Sequence, residues 1–255
     1  MNPVERKLKP SEEKEIVPVY KMIFFDMDGV LVDVSNYQES GSKVGVSMWH
    51  VVFDSLGILD EHRRLKEKFK AGEFSSYMEW TDEACKVLKT HGLTEAKLSE
   101  IINRQPLMRG AKEAITELKK QGYKTAVITG SFSALAERVR RELGVDDAVA
   151  HCNLEFDGEG RIKGWKLLPC DYEGKVDAFL QMAGKDGVAP SECMYIGDEV
   201  NDISVFRKVG LSIAFNCNKE EVKGAADIVV DGNDLRLILG SIGKKTLDFP
   251  TPSGE

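Results

Sequence analysis

Asp26 and Asp28 stand directly behind the apolar run Met22-Ile23-Phe24-Phe25, in the stretch KMIFFDMDGVLVD, with Gly29 following them. A buried strand has little use for carboxylates unless a metal ion or another cationic partner offsets their desolvation. The stretch therefore reads as a strand that ends in a reactive site. Three further groups lie at the ends of predicted strands or the starts of the following helices, where open α/β sheets hold their ligands. They are ITGS at 128–131 (Thr129, Gly130 and Ser131), Lys175 behind Gly174, and IGDEVND at 196–202 (Asp198, Asn201 and Asp202).

Brought together, Asp26, Asp28, Asp198 and Asp202 would repel one another unless a divalent cation neutralised them. Hard carboxylate oxygens suit magnesium, which keeps several waters and pairs carboxylates with substrate phosphate. Lys175 and the Thr129 hydroxyl would then face the remaining phosphoryl oxygens. Such a set suits phosphoryl transfer, where positioning and charge stabilisation provide most of the catalysis.

The elements that must position these groups follow from periodicity. From residue 123 onward, strand-like runs at Tyr123–Thr129, Cys193–Gly197, Leu211–Phe215 and Asp227–Val230 alternate with the helical patterns FSALAERVRREL, GKVDAFLQMA, DISVFRKV and DLRLILGSI. This is the pattern of a parallel sheet flanked by helices. EFDGEGRIKGW reads instead as a hairpin, with turn-forming Asp157, Gly158 and Gly160 between β-formers. Between 34 and 106 the amphipathic segments EHRRLKEKFK and SYMEWTDEACKVLKTHG replace strands, which predicts a helical insertion after the first strand. AKEAITELKKQG then leads back into the second strand.

DMDGV, ITGS, Lys175 and GDEVND, in that order, resemble the four motifs of the haloacid dehalogenase superfamily, specifically its phosphoserine-phosphatase-like branch. The likeness covers residues 20–33 and 107–240. It implies a three-layer, Rossmann-like α/β core (20–33 and 107–245) with a mainly parallel sheet. A helical cap (34–106), a polar N-terminal extension (1–19) and a C-terminal tail (246–255) complete the expected organisation. It also implies a magnesium-dependent phosphatase in which Asp26 is the nucleophile and forms an aspartyl phosphate. Asp28 would protonate the leaving oxygen and later take a proton from water. The expected magnesium ligands are the Asp26 side chain, the Asp28 backbone carbonyl and Asp198, with Asp202 acting through water or from behind. Thr129 and Lys175 would bind the transferring group, and Gly130, Ser131 and Asn201 would shape its site. An acid at Asp28 marks phosphatases and phosphomutases of the superfamily and argues against dehalogenation.

The sequence departs from the branch in places. The cap glutamate and arginine that grip phosphoserine fall near Ser35 and Thr81, neither of which carries charge, with Glu39, Arg63 and Arg64 as neighbouring alternatives. Thr129-Gly130-Ser131 replaces the usual Ser-Gly-Gly, and Glu199 a usual glycine. The expected substrate is therefore a small phosphorylated metabolite, with phosphoserine only one candidate. The alternatives are a phosphomutase and a silent magnesium and phosphate-binding module.

Composition narrows the rest. A net charge of −7 over 255 residues argues against a nucleic-acid binder held by phosphate contacts. The five cysteines form no CxxC pair, which fits a reducing, cytoplasmic setting. No run approaches the roughly 20 apolar residues of a membrane span. His50, His62, His91 and His151 show no metal spacing, and Trp49, Phe53, Phe69, Phe74, Tyr77 and Trp80 read as packing between cap helices, with one or two lining the pocket.

Overall fold

A computed structural model describes residues 20–35 and 47–245; the expected N-terminal extension, the C-terminal tail and Glu39 lie outside the described residues. Among the described residues one sheet has seven strands. In chain order they are β1 (Met22–Phe25), β2 (Lys124–Phe132), β3 (Asp147–Phe156), β4 (Ile162–Leu167), β5 (Cys193–Gly197), β6 (Leu211–Phe215) and β7 (Ile228–Val230). Their spatial order is β4-β3-β2-β1-β5-β6-β7, parallel except for the β3–β4 edge. β1 lies in the middle, with Phe25 level with Val127 on one side and Ile196 on the other.

Alternation along β1 makes the layers. Ile23 and Phe25 enter one apolar cluster while Met22 and Phe24 enter the other, as a period of two requires. The first cluster takes in α5 (Ala111–Lys120), α6 (Ser133–Leu143) and α10 (Leu237–Lys245) through Ile115, Val139 and Ile238. The second takes in α7 (Lys175–Lys185), α8 (Ile203–Phe206) and α9 (Glu220–Ala225) through Phe179, Phe206 and Val222. All four β1 side chains are fully buried, at about 1.5–3 kcal/mol of transfer energy each.

Between β1 and α5 come α1 (Met48–Ser55), α2 (Leu59–Lys70), α3 (Tyr77–Thr90) and α4 (Glu95–Arg104). Ser76 caps α3 by accepting the Glu79 amide at 3.2 Å, and Thr94 caps α4 by accepting that of Lys97 at 3.2 Å. The outgoing and returning chains run side by side, Asp33 N donating to Pro106 O at 2.9 Å and Met108 N to Leu31 O at 2.8 Å. The helices also rest on the β3–β4 hairpin, where Trp165 Nε1 donates to Asp82 Oδ1 at 2.8 Å. Their apolar residues, Trp49, Phe53 and Trp80 among them, are continuous with the first cluster of the sheet.

The strands at 193–197 and 211–215 lie where the apolar runs place them. Two elements differ. The strand expected to end at Thr129 continues to Phe132, with a register shift against β3 after Thr129. DISVFRKV is helical only over Ile203–Phe206, because a 3-10 turn at 200–202 precedes it and Gly210 N–H turns back to the carbonyls of Pro190 and Cys193. No helix among the described residues is long and apolar enough to cross a membrane.

Candidate active site

The Asp26 amide continues the β1–β5 pairing by donating to Ile196 O at 2.9 Å, so its side chain emerges where the sheet stops. The chain then folds tightly, with Met27 O receiving the Leu31 and Val32 amides at 2.9 Å each. Gly29 makes this turn with φ +85°, and a Cβ on it would lie 2.3 Å from Asp198 Oδ2. The glycine of DMDG is thus required twice, for its dihedral angle and for the close passage of the Asp198 carboxylate.

At the end of β5 the backbone wraps around Asp202. Its Oδ2 accepts the amides of Asp198 and Glu199 at 3.0 Å each. Its Oδ1 receives Lys175 Nζ at 2.6 Å and the Tyr195 hydroxyl at 2.9 Å. Lys175, the first residue of α7, also stands 3.2 Å from Asp26 Oδ1 and is fully buried. Carboxylate oxygens of Asp26, Asp198 and Asp202 all lie within 4.8 Å of one another.

The other strand end supplies hydroxyls and backbone. Thr129 Oγ1 accepts the Ser131 amide at 3.1 Å, and the buried Ser131 Oγ has no hydrogen-bond partner. Gly130 is needed for proximity and not for a sharp turn, since its φ is ordinary and a Cβ would sit 1.9 Å from Asp171 Oδ2.

A chamber of about 80 Å³ lies among these ends, walled by Asp26, Asp28, Thr129, Gly130, Ser131, Asp198 and Asn201. Lys175 and Asp202 stand behind the wall as a buried pair. Thus the nine residues expected from sequence meet in one place. Sequence reading missed Asp171, a buried wall residue whose Oδ1 accepts the Asn201 side-chain amide; it lies in the loop before α7, where no spacing marks it. It also missed Tyr195, which reads as an ordinary apolar strand residue. Trp49 and Tyr77 roof the chamber, the Trp49 indole donating to Gly130 O at 3.0 Å, as expected for one or two of the aromatics.

The charges are poorly compensated by protein alone. Burial pushes the Asp26 and Asp198 carboxyls well above the usual range; Asp26 adds to this at Asp198, Asp202 adds to it at both, and Lys175 opposes it. Burial lifts Asp28 to about 6 although the Met48 amide, donating to its Oδ2 at 2.8 Å, pulls the other way. Burial alone would lower Lys175, but Asp202 and Asp26 outweigh it and hold the ammonium charged. The buried Oδ1 atoms of Asp28 and Asp198 have no hydrogen-bond partner. An oxygen-ligated divalent cation fits Asp26 and Asp198, since it would satisfy the orphaned Asp198 oxygen and offset the repulsion among these carboxylates.

The departures resolve as well. Thr81 is fully buried, donating to Tyr77 O at 2.9 Å and 2.9 Å from His151 Nε2. Ser35 is exposed, its amide bonded to Asp33. Arg63 and Arg64 pair with Asp60 and Glu61 on exposed faces of α2 and line neither the chamber nor the cleft beside it. Glu199 accepts the Val200 amide at 2.8 Å and is ion-paired with Lys219, so its carboxylate is held at the rim.

Comparison with known proteins gives a consistent picture. The model of the haloacid dehalogenase-like hydrolases matches residues 20–210. The chain is 34% identical over 232 residues to a phosphoserine phosphatase of Archaeoglobus fulgidus, covering 90% of this chain but only 61% of that protein's length. It is 31% identical over 221 residues to a phosphoserine phosphatase of Methanocaldococcus jannaschii, covering 86% of this chain and 96% of that one. Among solved structures, a phospho-aspartyl intermediate analogue of phosphoserine phosphatase superposes with a TM-score of 0.71 at 28% identity, over 87% of this chain and 98% of that one.

Proposed function

We propose, for a chain that belongs to the haloacid dehalogenase-like hydrolases and is a phosphoric monoester hydrolase, that it cleaves a small phosphorylated metabolite through a phospho-aspartate on Asp26. The observation that carries this reading is the meeting of Asp26, Asp28, Asp198 and the buried Lys175 at one end of the sheet. The solved analogue of a phospho-aspartyl intermediate, on a related fold, supports it.

An Asp26 carboxylate oxygen attacks phosphorus as the ester P–O bond breaks. Asp28, which burial raises to about 6 so that a fraction keeps its proton at neutral pH, gives that proton to the departing alkoxide. Its carboxylate then takes a proton from water, whose oxygen attacks phosphorus and releases Asp26 and inorganic phosphate. Lys175 holds Asp26 in place and offsets charge that builds on the phosphoryl oxygens, while Thr129, Ser131 and the backbone at Gly130 receive that group. Asp26, Asp198 and the Asp28 carbonyl would hold magnesium, with Asp202 behind; when bound, the ion supplies positive charge against the carboxylates and the phosphoryl oxygens.

Residues 34–106 serve in this reading as a cap on a core formed by 20–33 and 107–245. Trp49 and Tyr77 exclude water while the alkoxide leaves, and cap motion admits it for the second half. A chamber of about 80 Å³ suits a phosphoryl group with the reacting water. We place the enzyme in the cytoplasm, where its five thiols stay reduced. Phosphate release from p-nitrophenyl phosphate, with magnesium and with chelator, tests the activity; no release under either condition refutes it.

A further inference from the structure

Beside the catalytic chamber opens a second, larger cleft of about 460 Å³. The two share Ser47, Trp49, Tyr77, Asp171, Glu199 and Asn201 as walls, so a leaving group bound at the chamber extends into the cleft. A seryl group would leave most of that volume unfilled, whereas pockets of this size receive ligands several times larger. No arginine is among the described residues that line it.

The walls are aromatic. Tyr77 lies 4.8 Å from Tyr172, 6.0 Å from Phe69 and, nearly parallel, 5.2 Å from Trp80, centroid to centroid. Tyr172 is held at φ +42°, a left-handed conformation that non-glycine residues rarely adopt, and this places a half-exposed ring at the mouth of the cleft. Strain of this kind persists where surrounding structure enforces it, commonly at ligand sites.

Two residues of its lining carry buried polar atoms without partners. His62 is 1% exposed, yet neither ring nitrogen has a hydrogen bond, and Trp80, 4% exposed, has an indole N–H with none. Burial holds His62 down to about 3, so its ring is neutral and offers one donor and one acceptor. Each such buried group left unsatisfied costs about 1–3 kcal/mol. His62 and Trp80 both line the cleft, so a flat molecule with complementary edges would bring partners to nitrogens that the protein leaves unpaired.

Resting on the phosphatase reading above, we propose that the cleft selects the leaving group, and that the preferred substrates are phosphate monoesters of alcohols bearing a planar heteroaromatic ring with both donor and acceptor atoms. The ring lies against the mutually packed rings of Phe69, Tyr77 and Tyr172 and turns its polar edge toward His62 and Trp80. Lys66 and Lys70, on the rim, suit the approach of an anionic ester.

The test compares kcat/KM for pyridoxine 5′-phosphate, adenosine 5′-monophosphate and flavin mononucleotide with that for phosphoserine and acetyl phosphate. At least one ring ester should exceed phosphoserine by about tenfold or more, and His62→Phe should lower the ratio of that ester to acetyl phosphate by about tenfold, with His62→Gln recovering most of it. Phosphoserine matching or surpassing every ring ester, or a ratio unmoved by His62→Phe, overturns the proposal. A cleft that holds only water gives that result. Failure to hydrolyse acetyl phosphate as well would sink the phosphatase reading instead. The cleft is then judged by quenching of tryptophan fluorescence with pyridoxine, adenosine and riboflavin: saturation below about 1 mM supports it, and no quenching by any of the three overturns it.

Discussion

Lys175 Nζ lies 2.6 Å from Asp202 Oδ1 and 3.2 Å from Asp26 Oδ1, and neither Lys175 nor Asp202 is reached by solvent. The lysine therefore joins the turn after β5 to the carboxylate after β1. Removing one member of a buried pair leaves the other charge uncompensated, at about 3–5 kcal/mol. Lys175→Met should lower unfolding free energy by about that amount in urea titrations at pH 7. An unchanged midpoint would mean that the Lys175–Asp202 contact does not support the fold.

Asp26 sits among Asp28, Asp171, Asp198 and Asp202, and Lys175 opposes their repulsion. Asp26→Asn removes the nucleophile and part of that repulsion together. Its turnover of p-nitrophenyl phosphate should fall by at least about a thousandfold, while its melting temperature without magnesium should equal or exceed that of the wild type. Native turnover by this variant would show that another group attacks phosphorus.

The same crowding predicts a response to metal. A cation that binds only the folded protein stabilises it by about 2.7 kcal/mol at a hundredfold excess over Kd. For a chain of this length the melting temperature should rise by about 5 °C or more on adding magnesium to chelator-treated protein. Asp198→Asn should erase most of that rise. Calorimetry decides it without reference to activity, and a rise of full size in the variant would exclude Asp198 as a ligand.

Gly29→Ala adds one methyl where φ is +85° and Asp198 Oδ2 is 2.3 Å away. Strain of about 1–3 kcal/mol is expected from the dihedral alone, and Asp198 must move besides. The magnesium concentration for half-maximal activity should rise by about tenfold or more. Wild-type metal dependence in a folded variant would show that the turn relaxes without disturbing Asp198.

How much of this was readable in the sequence depends on where each signal resides. Met22–Phe25 and Cys193–Gly197 announce themselves as apolar runs because both faces of a central parallel strand are buried. Asp26, Asp28 and Asp198 stand out because carboxylates rarely follow such runs without a cause. Asp171 escaped notice because it lies in a loop, and only the fold puts it beside Gly130 and Asn201. His62 is similar. Within EHRRLKEKFK it looks like one more polar residue, and its burial against Phe53 and Trp80 arises only when α1, α2 and α3 meet.

Buried histidines give a last prediction, on acid stability. Burial lowers His62 to about 3 and His151 to about 4. His62 faces His50, Lys66 and Arg63, which disfavour its protonation further, and His151 lies against Thr81 and Tyr77. Both are neutral when folded and take up protons when unfolded below about pH 6.5. Their contribution to stability is complete above that pH and is lost as pH falls toward 4, by about 1.4 kcal/mol per histidine per pH unit. The raised carboxyls of Asp26, Asp28 and Asp198 act in the opposite sense, because they hold protons more tightly in the folded state. The two effects separate by difference: urea stability should fall more steeply from pH 6 to pH 4.5 in the wild type than in His151→Phe, by about 1.4 kcal/mol per unit. Equal slopes would mean that His151 already carries its proton inside the fold.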